Sequence, residues 1–142
     1  MDLLCELDIG IFGDDGFDTP DLWEGLEVFF IVVNEIIVGS TALRHNTDIA
    51  ESYEDDYVEL PGSLYIVSTG ILPEWCGQGV GSKVKEWQIN YAQKSGFARI
   101  VTNAKVSNVR SVKLNQKFNF QILRLIPNWY GNEDAVVLER KL

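Results

Sequence analysis

A glycine-rich segment has the residue types and spacing of an anion-binding loop. It runs from Cys76 to Ser82 and reads CGQGVGS, between a predicted strand and a predicted helix. Glycines at alternate positions let main-chain amides converge at the N-terminus of the helix, where the helix dipole also favours negative charge. The segment therefore predicts a pyrophosphate site. A tight turn that binds nothing would use the same residues, so the loop alone leaves both interpretations open.

The spacing of the glycines excludes two other nucleotide-binding motifs. A nucleotide-hydrolysing P-loop has Gly-x-x-x-x-Gly-Lys-Ser/Thr, whereas here Gly81 is followed by Ser82 and then Lys83. A dinucleotide-binding fingerprint has Gly-x-Gly-x-x-Gly, whereas one residue separates Gly77 from Gly79 and Gly79 from Gly81. We therefore predict neither nucleotide hydrolysis nor dinucleotide binding.

Several segments in order resemble the motifs of the GNAT acetyltransferase family. The segment ILPEWCGQGVGS at 71–82 is similar to the family's cofactor loop, although Cys76 stands where Arg or Gln is usual. The segment NVRSVKLNQKFNF at 108–120 is similar to the second motif of the family, and WYGNEDAVVL at 129–138 to its closing hairpin. The hairpin VVNEIIVG at 32–39 also resembles the one that precedes the cofactor strand. Several motifs in the right order are far more specific than one.

The resemblance implies a fold and a reaction for the whole chain. It implies one GNAT domain over residues 1–142, of the α/β (α+β) class, with acetyl-CoA as cofactor. The central sheet would be mixed, mostly antiparallel and splayed at the cofactor strand, with helices on both faces. The motif pattern is nearest to the ribosomal-protein and N-terminal acetyltransferases. The start of the chain departs from the family, because no strand is recognised before the first predicted helix.

The resemblance also assigns cofactor contacts. The pantetheine arm would pair with the main chain of Thr69, Gly70 and Ile71 and would bond Asn108. The 3′-phosphate would meet Lys117, with Lys83 or Arg110 as alternatives. The pyrophosphate would be held by the loop residues, mainly through their amides: Cys76, Gly77, Gln78, Gly79, Val80, Gly81 and Ser82.

The side chains that usually catalyse transfer in this family are missing. The general-acid Tyr of the second motif is replaced by Asn115, and a Glu found on the preceding strand in many N-terminal acetyltransferases is replaced by Asn103. Three interpretations follow. Another residue, first Tyr130 and second Tyr65, protonates the departing thiolate; or the thiolate leaves unassisted, since a thiol pKa is about 8.5; or the chain binds acyl-CoA without turnover, as a sensor or partner-binding module.

The charge of the chain favours a cationic acceptor. The sequence has 21 acidic and 12 basic residues, a net charge of −9, which disfavours general nucleic-acid binding. The resemblance places the acidic segment 48–59 where the acceptor arrives. We therefore expect it to attract a primary amine, on a small molecule or a peptide, and Glu59 to accept its proton. A solvated surface loop is the alternative interpretation.

Other classes of site and location are not indicated. No apolar run reaches the roughly 18 residues of a membrane helix, and the first ten residues lack the basic region of a secretory signal. We expect Cys5 and Cys76 to be reduced thiols in the cytoplasm. One histidine, His45, and two distant cysteines predict no metal site.

Hydrophobic periodicity and turn residues predict the elements that position these residues. Helices are predicted at the start, from Pro20 to Gly25, from the glycine loop to Gly96, and from Ser107 or Asn108 to Phe118. Strands are predicted at 28–33, 36–43, 63–71, 98–103, 120–126 and 135–142. Along the helix after the loop, four residues recur at helical spacing and predict its buried face: Val80, Val84, Trp87 and Tyr91.

A homodimer is also predicted. The first family strand is missing from the predicted elements, which leaves the strand at 28–33 nearer to an exposed edge of the sheet. Exposed apolar edges are commonly paired or covered.

Overall fold

The structure is a computed structural model that describes residues 25–46 and 62–142, together with Ile11. The two predicted N-terminal helices, the expected absence of a strand before them and the acidic segment 48–59 lie outside the described residues. Within 25–46 and 62–142 there are two α-helices, α1 (Val80–Lys94) and α2 (Val109–Lys117). The strands are β1 (Glu27–Val33), β2 (Ile36–Asn46), β3 (Ser63–Ile71), β4 (Arg99–Lys105), β5 (Gln121–Ile126) and β6 (Ala135–Lys141).

All six strands belong to one sheet, and the chain divides into two compact units. The first unit contains the residues up to Arg44 and from Ile66 to Val84; the second contains His45–Tyr65 and Lys85–Leu142. The strand pairs β1–β2, β4–β6 and β6–β5 are antiparallel. The predicted α/β fold is confirmed.

In the first unit, β1 and β2 form the predicted hairpin. Its turn residues Asn34 and Glu35 have φ of 50° and 68°. Two left-handed residues give a two-residue turn whose twist matches that of the strands. β2 continues to Asn46, three residues beyond the predicted end.

A close main-chain approach in the first unit explains the glycine in β2. A Cβ added to Gly39 in β2 would collide with the carbonyl oxygen of Gly70 in β3. Nearby, Thr41 Oγ1 lies 2.9 Å from Thr69 Oγ1, so the two strands are also linked by side chains. Gly39 therefore marks a close approach, which is a common reason for glycine inside a strand.

The second unit is built on the strands β4, β6 and β5 in that order, with a core of aliphatic side chains. Ile100, Val101, Val137 and Leu138 are each at most 1% exposed. Gly96 and Asn119 have φ of 80° and 65°, as predicted for the residues that follow the two helices.

The buried face of α1 differs from the prediction. Trp87 is 39% exposed, and its ring stacks on that of Tyr91 with centroids 5.2 Å apart. The prediction that Trp87 faces the core is wrong, whereas Tyr91 is half-buried. Helical spacing shows which residues share a face but not which face packs inward. The buried side chains of α1 are Val84, Lys85, Gln88, Ile89 and Ala92.

Lys85 is therefore a basic residue whose side chain is buried in the second unit. Its side chain is 6% exposed, and its Nζ lies 4.8 Å from the centre of the Phe120 ring. Burial lowers the pKa of Lys85 to about 7, because surroundings of low polarity favour the neutral amine.

Candidate functional site

The glycine loop connects β3 to α1 within the first unit. A short 3-10 turn, Pro73–Trp75, precedes it, and the Cys76 amide donates to the Pro73 carbonyl at 3.2 Å. The side chain of Gln78 donates to the Glu74 carbonyl at 2.9 Å. The loop is thus shaped mainly by its own main chain, and Gln78 acts as a brace.

Two loop glycines adopt a conformation that other residues avoid. Gly77 and Gly79 have φ of 77° and 81°, and a Cβ on either would meet no protein atom within 4 Å. In α1 the Lys83 amide donates to the Gly79 carbonyl at 3.2 Å. The amides of residues 80–82 precede that bond, so no carbonyl of the helix can accept from them. An open cradle in front of a helix N-terminus fits a pyrophosphate.

The residues expected along the pantetheine arm lie at the end of β3. Gly70 is buried, and Thr69 and Ile71 are half-buried. Cys76 is exposed, with its Sγ 3.6 Å from the Ile71 and Leu72 carbonyls. These expected cofactor residues, from Thr69 to Ser82, all belong to the first unit.

In the second unit, three polar side chains from separate parts of the sequence form one hydrogen-bonded chain. The Tyr65 hydroxyl donates to Asn103 Oδ1 at 2.5 Å, and Asn103 Nδ2 donates to the Tyr130 hydroxyl at 3.2 Å. We call Tyr65, Asn103 and Tyr130 the polar triad. Both tyrosines considered as replacements for the missing acid thus meet at the asparagine that replaces the Glu.

Exposure differs along the polar triad. Tyr65 is 6% exposed, Asn103 is half-buried and Tyr130 is 36% exposed. Lys105 Nζ lies 5.5 Å from the centre of the Tyr130 ring. The neighbouring Trp129 is 40% exposed. The triad therefore runs from the core to the surface, and Tyr130 is its most exposed member.

The loop that carries Tyr130 is fixed by two carboxylates that sequence reasoning missed. Glu133 Oε1 accepts from the Ser107 amide at 2.8 Å, and Asp134 Oδ1 accepts from the Asn128 amide at 3.0 Å. For Asp134 the signal available in the sequence was its place in a turn-rich segment, since Asp side chains often accept from nearby amides. For Glu133 there was no such signal, because Ser107 is 26 residues away in the sequence.

On α2, the expected site residues have different surroundings. Asn108 caps the helix, because its Oδ1 accepts from the Ser111 amide at 3.2 Å. Asn115 is 4% exposed and its Nδ2 donates to the Ser111 carbonyl at 2.9 Å. Lys117 is exposed in the last turn, with Nζ 5.9 Å from the centre of the Phe118 ring. The roles assigned to these residues stay predictions.

The single histidine of the chain has aromatic neighbours. His45 is near the end of β2, where its ring packs edge-on against Phe97 at 5.0 Å and its Nε2 lies 3.4 Å from the Tyr91 hydroxyl. Glu59 is outside the described residues. Among the described helices none is long and apolar enough to cross a membrane. The cytoplasmic location and the homodimer stay predictions.

Comparison with known proteins relates this geometry to an enzyme family. The model of the Acetyltransferase (GNAT) family matches residues 1–120. N-alpha-acetyltransferase 50 of Danio rerio is 29% identical over 113 residues, which are 77% of this chain and 61% of that protein. The chain thus spans less than two thirds of the length of this relative.

Two solved structures have the same fold. An acetyltransferase of Bacillus subtilis in complex with CoA has a TM-score of 0.78 and 19% identity, covering 100% of this chain and 93% of that one. The ribosomal-protein-S18-alanine N-acetyltransferase of Escherichia coli has a TM-score of 0.76 and 16% identity, covering 96% of this chain and 84% of that one.

Proposed function

Since this chain belongs to the GNAT family of acetyltransferases, we propose that it transfers an acetyl group from acetyl-CoA to a primary amine. The family uses acetyl-CoA, so the predicted cofactor is confirmed at the level of the family. The observation that carries the proposed reaction is the polar triad, which presents a tyrosine hydroxyl at the surface of a fold without the usual acid.

The glycine loop supports cofactor binding in this proposal. Left-handed Gly77 and Gly79 leave the front of the loop open, and the amides at the start of α1 have no helical acceptor. The loop would hold the pyrophosphate, and Thr69–Ile71 the pantetheine arm. Acetyl-CoA supplies an acetyl thioester. Contacts from Asn108 and Lys117 remain part of the proposal.

Tyr130 is the proposed proton donor. In the triad its oxygen accepts from Asn103 Nδ2, so this contact does not use the Tyr130 proton. The cationic amine first loses one proton to Glu59, the proposed base, and its nitrogen then forms a bond to the acetyl carbon while the carbon–sulfur bond breaks. Tyr130 gives its proton to the departing thiolate and is reprotonated from solvent, and the nitrogen releases its second proton to solvent. Transfer is direct, in a ternary complex.

The hydrogen bond from Tyr65 determines the direction of the hydrogen bond between Asn103 and Tyr130. Tyr65 donates to Asn103 Oδ1, which leaves the Asn103 amide nitrogen as the donor toward Tyr130. Asn103 would therefore orient the hydroxyl of Tyr130 without carrying a proton itself. An amide in place of the Glu found in other members is consistent with this role.

The acceptor we propose is a cationic amine, with a peptide α-amine as the first class to test. The net charge of −9 favours a cation. The similar protein of Danio rerio is named an N-alpha-acetyltransferase, and that of Escherichia coli acts on an alanine of a ribosomal protein. Glu59 is retained as the proposed base.

A second candidate function is acyl-CoA binding without turnover. It is favoured by Asn115, which stands in the acid position and is buried at 4% exposure. A sensor or partner-binding subunit would need the glycine loop and no proton donor.

A thiol-release assay separates the two functions. Acetyl-CoA is incubated with the protein and a panel of short peptides that differ in the first residue, with spermidine and an amino sugar as further acceptors. We expect turnover with at least one amine, and a fall in kcat of about 100-fold in Tyr130→Phe. Binding of acetyl-CoA by calorimetry without turnover on the whole panel would favour the binding module.

A further inference from the structure

Glu133 makes one contact to a segment outside the loop that carries Tyr130 and one contact within that loop. Its carboxylate accepts from the main-chain amide of Ser107 at 2.8 Å, in the connection between β4 and α2. Its own main-chain carbonyl accepts from the amide of Tyr130 at 3.1 Å. A single residue therefore joins the backbone of Tyr130 to a segment outside the loop.

Asp134 also makes one side-chain and one main-chain contact, but here the side-chain contact is the one within the loop. Its carboxylate accepts from the Asn128 amide at 3.0 Å, within the loop, and its carbonyl accepts from the Val106 amide at 3.1 Å. Glu133 thus makes a side-chain tie between the loop and the connection after β4. The tie of Asp134 to Val106 uses main-chain atoms only, so a substitution of Glu133 removes neither of its partners.

These contacts matter for the triad because the loop they hold carries Tyr130, and the segment to which they hold it follows the strand that contains Asn103. Asn103 lies in β4, two residues before Lys105, whose Nζ lies 5.5 Å from the Tyr130 ring. Ser107 is the second residue after that strand. A loop pinned at Ser107 keeps the Tyr130 hydroxyl at 3.2 Å from Asn103 Nδ2, and small errors in such a position are costly in catalysis.

We propose that Glu133 is a positioning residue for acetyl transfer, which holds the Tyr130 hydroxyl at Asn103 by tying its loop to the Ser107 amide. The inference rests on the proposed function, because it assumes that Tyr130 is the proton donor. This role requires a side-chain oxygen that accepts a hydrogen bond, not a negative charge. Glutamine should therefore be able to substitute for Glu133, and alanine should not.

The test compares Glu133→Ala and Glu133→Gln, each also made with Tyr130→Phe, in the thiol-release assay with the best peptide of the panel. We expect Glu133→Ala to lower kcat about tenfold with KM for acetyl-CoA nearly unchanged. Glu133→Gln should stay within about threefold of the parent, since its amide oxygen can still accept from Ser107. In the Tyr130→Phe background, Glu133→Ala should have no further effect.

The control is Glu86→Ala, which removes an exposed carboxylate from α1 in the same unit and should leave kcat unchanged. If the parent protein shows no turnover with any acceptor of the panel, the proposed function fails. If Tyr130→Phe retains full activity, Tyr130 is not the proton donor and the inference fails with that role, while acetyl transfer stands. If Tyr130→Phe is impaired but Glu133→Ala is not, the positioning role fails and the proposed function stands. A purely structural role is recognised if Glu133→Ala lowers kcat equally in both backgrounds, which would also overturn the inference. Should Glu133→Ala not fold, a tenfold loss in Glu133→Gln would contradict it.

Discussion

The glycine loop and the polar triad are built from different parts of the polypeptide. The loop presents main-chain amides, and its shape depends on the left-handed Gly77 and Gly79. The triad presents two hydroxyls and an amide, which three distant segments bring together. A main-chain site tolerates changes of side chain but not of backbone conformation, and a side-chain site has the opposite sensitivity. The two sites should therefore respond to different substitutions.

The largest effect is expected from a backbone change in the loop. Gly79→Val forces a β-branched residue to φ near 81° and places a Cβ in the open cradle, so acetyl-CoA binding should be lost in calorimetry. Gly96→Val is a matched control, because Gly96 has φ of 80° and equally open surroundings. Each should cost about 1–2 kcal/mol of stability. If Gly79→Val binds acetyl-CoA as tightly as Gly96→Val does, the loop is not part of the cofactor site.

The next effect is expected from a side chain of the triad. Asn103→Leu keeps the size of the residue but removes the link between the tyrosines, so kcat should fall roughly 10- to 100-fold. Affinity for acetyl-CoA should not change, because the loop is untouched. A variant that loses cofactor affinity and keeps kcat would reverse the assignment of the two sites.

The buried side chain of Lys85 should make the free energy of unfolding depend on pH, which unfolding measured over a pH series can show. The unfolded chain keeps the Lys85 proton up to pH 10.5, whereas the folded protein releases it near pH 7. The free energy of unfolding should therefore rise between those values, by at most on the order of 5 kcal/mol. Lys85→Met should lack this rise and be more stable than the parent at pH 7. Parallel profiles in urea unfolding would show that the Lys85 amine is not buried in solution.

The smallest effect is expected from a side-chain change in the loop. Cys76→Ser should alter acetyl-CoA affinity by no more than about twofold, because the proposed contacts there are main-chain amides. Gln78→Ala is a useful variant for comparison, because it removes the hydrogen bond from the Gln78 side chain to the Glu74 carbonyl. A large loss in the serine variant would mean that the thiol itself contacts the cofactor.

The sequence allowed the local features to be predicted more fully than the distant contacts. The hairpin turn, the residues after the helices and the glycine loop depend on conformational preferences of a few neighbouring residues, such as Gly96 and Asn119. The family was also confirmed, because its motifs are contiguous segments. Each member of the polar triad was singled out separately, but their meeting depends on strand register across the sheet.

The inward face of α1 shows a second limit. Lys85 and Gln88 are buried while Trp87 is 39% exposed, which inverts the usual assignment by hydrophobicity. Which face packs inward is decided by the neighbouring strands and not by the helix alone. The tie between Glu133 and Ser107 escaped prediction for the same reason, because one partner is a main-chain amide with no signature of its own.

Each of the two sites has an indole close by in the sequence. Trp75 ends the 3-10 turn directly before the glycine loop, and Trp129 precedes Tyr130 and is 40% exposed. Replacing Trp23 and Trp87 with Phe would leave these two, and removing either one next would give a protein with a single tryptophan. Changes in its fluorescence would then time the arrival of cofactor and of amine separately, without a label and before any product forms.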